Sequence, residues 1–426
     1  MPLRPLASLG ETALLCRRLF RQQYLADEQL RALQAARLQR LPASAEAHVP
    51  FWRERLKAAG MTAADLRQPG DLRHLPPVTK AELQAAGEEA RTSRGFPPTQ
   101  LDRTLTSGSS GRPFVIVRDP HVRRVRQATF LRTLWAGGYR PGMSMLLVSS
   151  RPKTKRAGWL RWHHASSEDP PETVLELFQA VRPDILYGFT TPLRQLASLC
   201  TRLVRPHRPK AVFTTAETLD EPTRRLLEGS FGTTPFDIYG STECGTLGYQ
   251  CSSREGYHLA EDLVITEFLP SAVTGMMRLV TTPLDLLGMP LFRYDIGDVV
   301  DPGPLPSCAC GRRFARVRRF EGRLVDCVRR ADGSLLAPFH LTLAIEPIEG
   351  IARYQIIQEA IDRFVVRIEP HGPHDPMLER KVEAAMQRVL GDSAGVATRF
   401  EERLEPPPGQ KFRVVESRLG QPPVAT

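Results

Sequence analysis

An α/β fold with a mainly parallel sheet, followed by a small α+β unit, is what this sequence predicts. Three observations carry that reading. From the Gly/Ser stretch "TSGSSG" onward, short apolar segments alternate with amphipathic helical ones, and parallel strands need such crossover helices. The apolar segments end in polar turns, and in sheets of this kind ligands gather at the carboxyl ends of the strands. After "RYDIGDVVDPGP" the texture changes to a few alternating strands and one clear helix.

In chain order, residues 11–60 predict helices, with "LRALQAARLQRL" spacing its leucines at three and four. "PGDLRHLPPVTKAELQAAG" is a proline-rich link in which Thr79 reads as an N-cap, with Glu82 three residues on closing a capping box. The loop Ser107–Gly111 leads into "FVIV", which reads as a buried strand. "SMLLVSS" and "PDILYGF" are strands, while "PETVLELFQAV" and "TPLRQLASLCTRLV" are helices; "KAVFTTAETL" and "PFDIYGSTE" repeat the strand-then-polar-turn pattern. In the small unit, "ARYQIIQ" and "RFVVRIEP" are strands and "DPMLERKVEAAMQRVL" is the helix. The boundary falls near "FEGRLVD".

Composition bounds the function. At 426 residues and 41% hydrophobic content, the chain has room for two or three domains with sizeable cores. It holds no long apolar run, so it predicts no membrane span, and a cytoplasmic protein is the expectation. The net charge of +11 invites a nucleic-acid reading. However, only seven of the 58 basic residues are lysine and asparagine is absent, a pattern of codon bias in a GC-rich genome. Between Pro120 and Ser167 there are ten basic residues and no acid, a run that reads either as a solvated face or as a surface for a polyanion such as a nucleotide or the phosphates of coenzyme A. The seven cysteines, an odd count with no signal peptide, predict reduced thiols.

Six polar turns then form a set: "TSGSSGRP" (106–113), "TTAE" (214–217), "YGSTECG" (239–245), "RYDIGD" (293–298), "EGRLVD" (321–326) and "GQKFR" (409–413). In order and spacing they resemble the adenylate-forming superfamily, and more narrowly its phenylacetate–CoA ligase and CapK-like branch. The stretch "HVPFWRERLKAAGMTAADLRQPGDLRHLPPVTKAEL" resembles the N-terminal part of that branch. The resemblance implies a large adenylate-forming domain over residues 1–321 with mainly parallel sheets. It also implies a small mobile α+β domain over residues 322–426 that turns about a hinge at 322–326.

It further implies ATP-dependent activation of a small-molecule carboxylic acid to acyl-AMP, then transfer to coenzyme A. Mg2+ and donors are needed where anions meet. By the resemblance, Thr106, Ser107, Gly108, Ser109, Ser110 and Gly111 cradle the β- and γ-phosphates, beside Arg112 where the family often has lysine. Glu243 carries Mg2+, Thr242 bonds the α-phosphate, and Tyr239 with Gly240 stacks on adenine beside Ala216 and Glu217. Asp298 accepts the ribose hydroxyls, which suits an acceptor-only carboxylate. Arg323 contacts ribose and phosphate, and Lys411 swings in for adenylation, an ammonium able to follow a moving phosphate. The chain departs from the family pattern at Val325, which stands where an acidic hinge residue is expected. Many members of the family are dimers, which gives the homodimer expectation.

Cys251 and His258 form C-x6-H, and Cys308 with Cys310 forms C-x-C, about fifty residues later. Three thiolates and one imidazole can close a tetrahedral structural zinc site, and by spacing alone reduced loop cysteines fit equally. Members of the same branch carry a similar set that holds Zn2+, so the resemblance implies such a site here. Cys244, next to Glu243, reads as a packed thiol. Three other readings stand beside the ligase: an enzyme passing the acyl group to an amine or a carrier-protein thiol, a basic nucleic-acid-binding protein, and a nucleotide binder that no longer turns over. The preferred reading has no nucleic-acid partner.

Overall fold

The computed structural model describes residues 7–105, 114–150, 161–273, 275–372, 376–391, 393–406 and 412–419. The expected phosphate loop with Arg112 (106–113) and Lys411 therefore lie outside the described residues.

The N-terminal helices form where leucine spacing demanded them: Ala7–Gln22, Asp27–Leu38, Arg40–His48 and Pro50–Ala58. Leu19, Leu38, Leu41, Trp52 and Leu56 are fully buried along their shared face. The Trp52 indole donates to the Pro290 carbonyl at 2.7 Å and meets Phe292 edge-on, which ties these helices to the rest of the large lobe. The Thr79 capping box is present: its hydroxyl accepts the Glu82 N–H at 3.3 Å, and the Glu82 carboxylate accepts the Thr79 N–H at 2.7 Å.

An eight-stranded sheet forms the centre of the large lobe. Strands Trp162–Ser166, Met145–Ser149, Ile185–Phe189, Ala211–Thr215 and Phe236–Ser241 lie side by side and parallel. Helices Pro171–Val181, Thr190–Cys200 and Glu221–Phe231 make the crossovers. Both faces are covered, as a parallel sheet requires: Leu146, Leu186 and Val212 face one core, and Met145, Ile185 and Phe213 the other. The chain then reverses into Gly245–Tyr249, Tyr257–Leu259 and Arg316–Val317, all antiparallel. The reversal is tight enough that a Cβ on Gly240 would sit 2.4 Å from the Gly245 carbonyl oxygen, so no other residue fits there.

The second sheet corrects the expectation of mainly parallel sheets. Val264–Pro270, Met277–Pro283, Tyr294–Asp301 and Arg319–Arg323 pair antiparallel, and only Val78–Thr79 joins in parallel. These strands follow one another through connections with no crossover helix, and neighbours joined that way must run antiparallel.

The small lobe has its own core of Leu341, Tyr354, Ile356, Val366, Ile368, Val382 and Met386. A long hairpin, Ile351–Ala360 with Arg363–Pro370, is flanked in parallel by Gly395–Phe400 and Val415–Ser417. Helix Pro376–Leu390 crosses over between two of these strands. The lobes meet on two helices of the large one. Arg194 pairs with Glu369 at 2.8 Å, Gln195 donates to Glu405 at 2.7 Å, and Arg225 donates to the Glu346 carbonyl at 2.8 Å.

Candidate active site

The strand ends at Thr215 and Ser241 and the inner strand of the second sheet converge on one region. Tyr239, near the end of its strand, donates its hydroxyl to the Asp298 carboxylate and so bridges the two sheets. Asp298 also lies opposite Arg323 in the pairing of Tyr294–Asp301 with Arg319–Arg323, so the main chain brings those two expected ribose residues together. One face of the Tyr239 ring is covered by Phe320, stacked at 3.6 Å between centroids and 9° between planes. A base stacking on Tyr239 therefore has to use the opposite face. Phe320 lies directly over Gly248, where a Cβ would be 2.7 Å from its ring. Sequence reading missed Phe320, because its partner in the chain lies some eighty residues away.

The "TTAE" turn positions the site in another way. Ala216 has φ +73°, a left-handed conformation that a non-glycine residue adopts only under constraint. The constraint comes from its neighbours. Thr215 donates its hydroxyl to the Ile238 carbonyl at 2.9 Å, and the Glu217 carboxylate accepts the Thr191 N–H at 2.7 Å. Helix Thr190–Cys200 has no side-chain cap of its own from Phe189. Glu217 supplies the missing acceptor and a negative charge at the helix start. Its carboxylate thus holds this helix in place.

Thr242 and Glu243 sit in the reversal after Ser241 and are held by two arginines: Arg126, which sequence reading treated only as part of a charge run, and Arg118, which it gave no role. Arg126 donates Nη1 to the Thr242 carbonyl at 2.8 Å and Nη2 to the Glu243 carbonyl at 2.5 Å. Arg118 donates to the Thr242 carbonyl at 2.9 Å. Burial, and then the nearby Arg118 charge, pull the Arg126 guanidinium down to about 9. Glu243 is 8% exposed, and its carboxylate accepts a long hydrogen bond from the Tyr294 hydroxyl at 3.4 Å. Burial pushes the Cys244 thiol up to about 11, in contact with Thr281 at 3.3 Å, which makes it a packed thiol. Phe213 is fully buried against Phe236 in the core.

The basic run is not one surface. Arg126 turns toward the Glu243 loop, and Arg132 is fully buried in an ion pair with Asp262 at 2.6 Å. Four more of the ten basic residues, Arg151, Lys153, Lys155 and Arg156, lie outside the described residues. The charge count thus overstates the basic face.

Cys251, His258, Cys308 and Cys310 converge, with their ligand atoms all within 4.8 Å of one another. Cys251 and Cys308 sulfurs are 3.5 Å apart, and the Cys310 sulfur is 3.3 Å from His258 Nε2. A tetrahedral zinc with ordinary bond lengths sets such edges at about 3.6–3.8 Å, so the four fit one ion and leave no open position. The other ring nitrogen of His258 faces the Phe314 carbonyl at 3.4 Å, which turns Nε2 toward the sulfurs. Burial holds His258 down at about 4, in the neutral form a ligand needs. Burial raises the Cys308 thiol, but hydrogen bonds from Ser253, Cys310 and Cys251 outweigh it and bring it to about 7. The strand Tyr257–Leu259 places His258, and the turn before Gly311, with φ +77°, places the two later cysteines.

A family profile for the CapK C-terminal domain matches residues 328–418. A phenylacetate-coenzyme A ligase of Thermus thermophilus is 28% identical, over 93% of this chain and 96% of that one. A phenylacetate-coenzyme A ligase of Escherichia coli is 27% identical over 70% of this chain and 72% of its own. Among solved structures, 2-hydroxyisobutyryl-CoA ligase in its postadenylation state with R3-HIB-AMP superposes with a TM-score of 0.79 at 20% identity, covering 93% and 92% of the two chains. The same ligase in its thioesterification state, with 2-HIB-AMP and CoA, gives 0.62 over 93% and 91%.

Proposed function

The chain belongs to the phenylacetate–CoA ligase and CapK-like branch of the adenylate-forming ligases, and from that premise we propose an ATP-dependent acid–CoA ligase. A carboxylate oxygen of the acid attacks the α-phosphorus of ATP and pyrophosphate leaves. The coenzyme A sulfur then attacks the acyl carbon, and AMP leaves with the electron pair of the broken C–O bond. The observation that carries the reading is the Tyr239–Asp298 hydrogen bond. It joins the residue expected under adenine to the residue expected under ribose at the seam of the two sheets, within reach of the clamped Glu243 loop.

In this reading Asp298 and Arg323 take the ribose, Tyr239, Gly240 and the Ala216–Glu217 turn take adenine, and Thr242 takes the α-phosphate. Glu243 supplies the carboxylate for Mg2+, which when bound offsets charge on the phosphates; its burial and its fixed main chain suit that role. Thr106–Gly111 and Lys411 complete the phosphate and adenylation roles. The small lobe turns about 322–326, where Leu324–Asp326 makes a single helical turn and Asp326 pairs with Arg413 at 3.0 Å. A Zn2+ on Cys251, His258, Cys308 and Cys310 would be structural, since a closed four-ligand set leaves no place for substrate. Among the described residues no helix is long and apolar enough to cross a membrane. ATP and coenzyme A as substrates fit a cytoplasmic enzyme, and a homodimer belongs to the same reading.

The test is carboxylate-dependent ATP–pyrophosphate exchange over a panel of aryl and fatty acids headed by phenylacetate, the acid in the names of the relatives. Exchange that is lost in Lys411→Ala, followed by thioester on adding coenzyme A, is the expected result. Silence across the panel with no ATP bound would overturn the proposal.

A further inference from the structure

One buried guanidinium ties the small lobe to the adenine side of the large one. Arg353, on the first strand of the small lobe's hairpin, is 2% exposed. Its Nη2 donates across the lobes to the Thr191 hydroxyl at 2.8 Å. Its Nη1 donates to the Leu404 carbonyl at 2.8 Å, and its Cζ lies 3.5 Å from the centre of the Phe412 ring. Phe412 directly follows Lys411 in the chain. Thr191 is the residue whose N–H is held by Glu217 in the turn beyond Ala211–Thr215. The contacts thus run from the adenine-side turn, through Thr191 and Arg353, to the residue next to the adenylation lysine.

These contacts divide by lobe. Leu404 and Phe412 belong to the small lobe and travel with Arg353 wherever that lobe goes. The bond to Thr191 crosses between the lobes, so any rotation of the small lobe must break it. Arg194 and Glu369 make a second crossing in the opposite sense, and Glu369 also accepts the Leu404 N–H at 3.0 Å. Burial, and then the Arg194 charge, bring Arg353 down to about 10. The lobe arrangement is nearer that of the postadenylation ligase than that of the same ligase in its thioesterification state, with TM-scores of 0.79 and 0.62.

We propose that Arg353, through Thr191, is a positioning residue that latches the small lobe in the adenylation arrangement; this rests on the ligase reading above. Breaking the latch slows the first half-reaction and spares or speeds the second, because a rotation that no longer has to break this bond reaches the thioester-forming arrangement more readily.

The experiment compares wild type, Thr191→Val, Thr191→Ser and Arg353→Lys in two assays. The first is ATP–pyrophosphate exchange with the best acid of the aryl and fatty panel. The second is thioester formation from that acid's synthetic adenylate plus coenzyme A, which bypasses adenylation. Thr191→Val should lower exchange about tenfold, the scale of losing one hydrogen bond from a charged donor, with the second rate unchanged or raised. Thr191→Ser restores the hydroxyl and should restore exchange. Arg353→Lys, which keeps the charge but cannot span both acceptors, should follow Thr191→Val. Equal losses in both half-reactions, or no rescue by serine, would overturn the latch alone. A wild type silent in exchange across the panel would overturn the ligase reading and the latch with it.

Discussion

Replacing Arg126 by methionine should slow adenylation about thirtyfold in a chain that still folds. Methionine keeps most of the aliphatic stem and removes both donors. The Thr242 carbonyl then keeps Arg118 at 2.9 Å, while the Glu243 carbonyl loses its 2.5 Å donor. A hydrogen bond from a charged donor contributes about 1.5–3 kcal/mol, and an orphaned buried acceptor costs about 1–3 kcal/mol. Removing a guanidinium already strained by burial, to about 9, offsets part of this. We therefore set the net loss at about 2 kcal/mol. At about 1.4 kcal/mol per decade, that is about thirtyfold if the whole loss falls on the placement of Glu243. Arg118→Met takes away one of two donors on the same carbonyl and should cost less than about fivefold. The assay is exchange at saturating acid with Mg2+ varied, since a displaced Glu243, in its proposed role as the Mg2+ carboxylate, raises the metal requirement as well as lowering kcat. A rate within about twofold of wild type, or a larger loss in Arg118→Met than in Arg126→Met, would refute the clamp.

Two further predictions concern the periphery of the site. Protein purified without chelator should hold about one zinc per chain; Cys308→Ser should lower the content and the Tm together, and stable metal-free wild type would exclude the ion. Asp237, buried beneath Thr214 and Tyr257 hydroxyls at 2.7 Å each, has its carboxyl pushed above the usual range by burial. The folded state therefore holds its proton to higher pH than the unfolded chain does, and the contribution of Asp237 to wild-type stability falls as pH rises from the ordinary carboxylate range through the raised value. Asp237→Asn lacks that dependence, so its Tm relative to wild type should be highest near neutral pH and shrink on acidification; a constant difference would refute the sign.

Much of the fold was legible because local pattern and tertiary demand agree. The strand ending at Phe189 and the helix after it have the periods their burial requires, and Thr79 with Glu82 declares its helix start in four residues. The antiparallel second sheet was not legible, since strand direction depends on which segments become neighbours. In the candidate site, Tyr239, Glu243 and Asp298 stood out through their motif frames, and so did the four members of the Cys/His cluster. The residues that hold them did not. Arg126 meets Glu243 across 117 residues, and Arg353 meets Thr191 across 162. The capping role of Glu217 was not legible because a helix cap supplied from another strand has no local signature.

The sulfur and imidazole cluster bears on how the chain finds its fold. Cys310 and His258 are 52 residues apart, and the strands Val264–Pro270, Met277–Pro283 and Tyr294–Asp301 all lie between them. A cation gripped early by both ends would turn that span into a closed ring before any sheet existed. The ring has far fewer unfolded shapes than the open strand, by an entropy worth about 4 kcal/mol for a loop of this size. The three strands would then search for their pairing within a tethered volume, and the carboxylate of Asp298 would reach the seam of the two sheets as cargo of that ring.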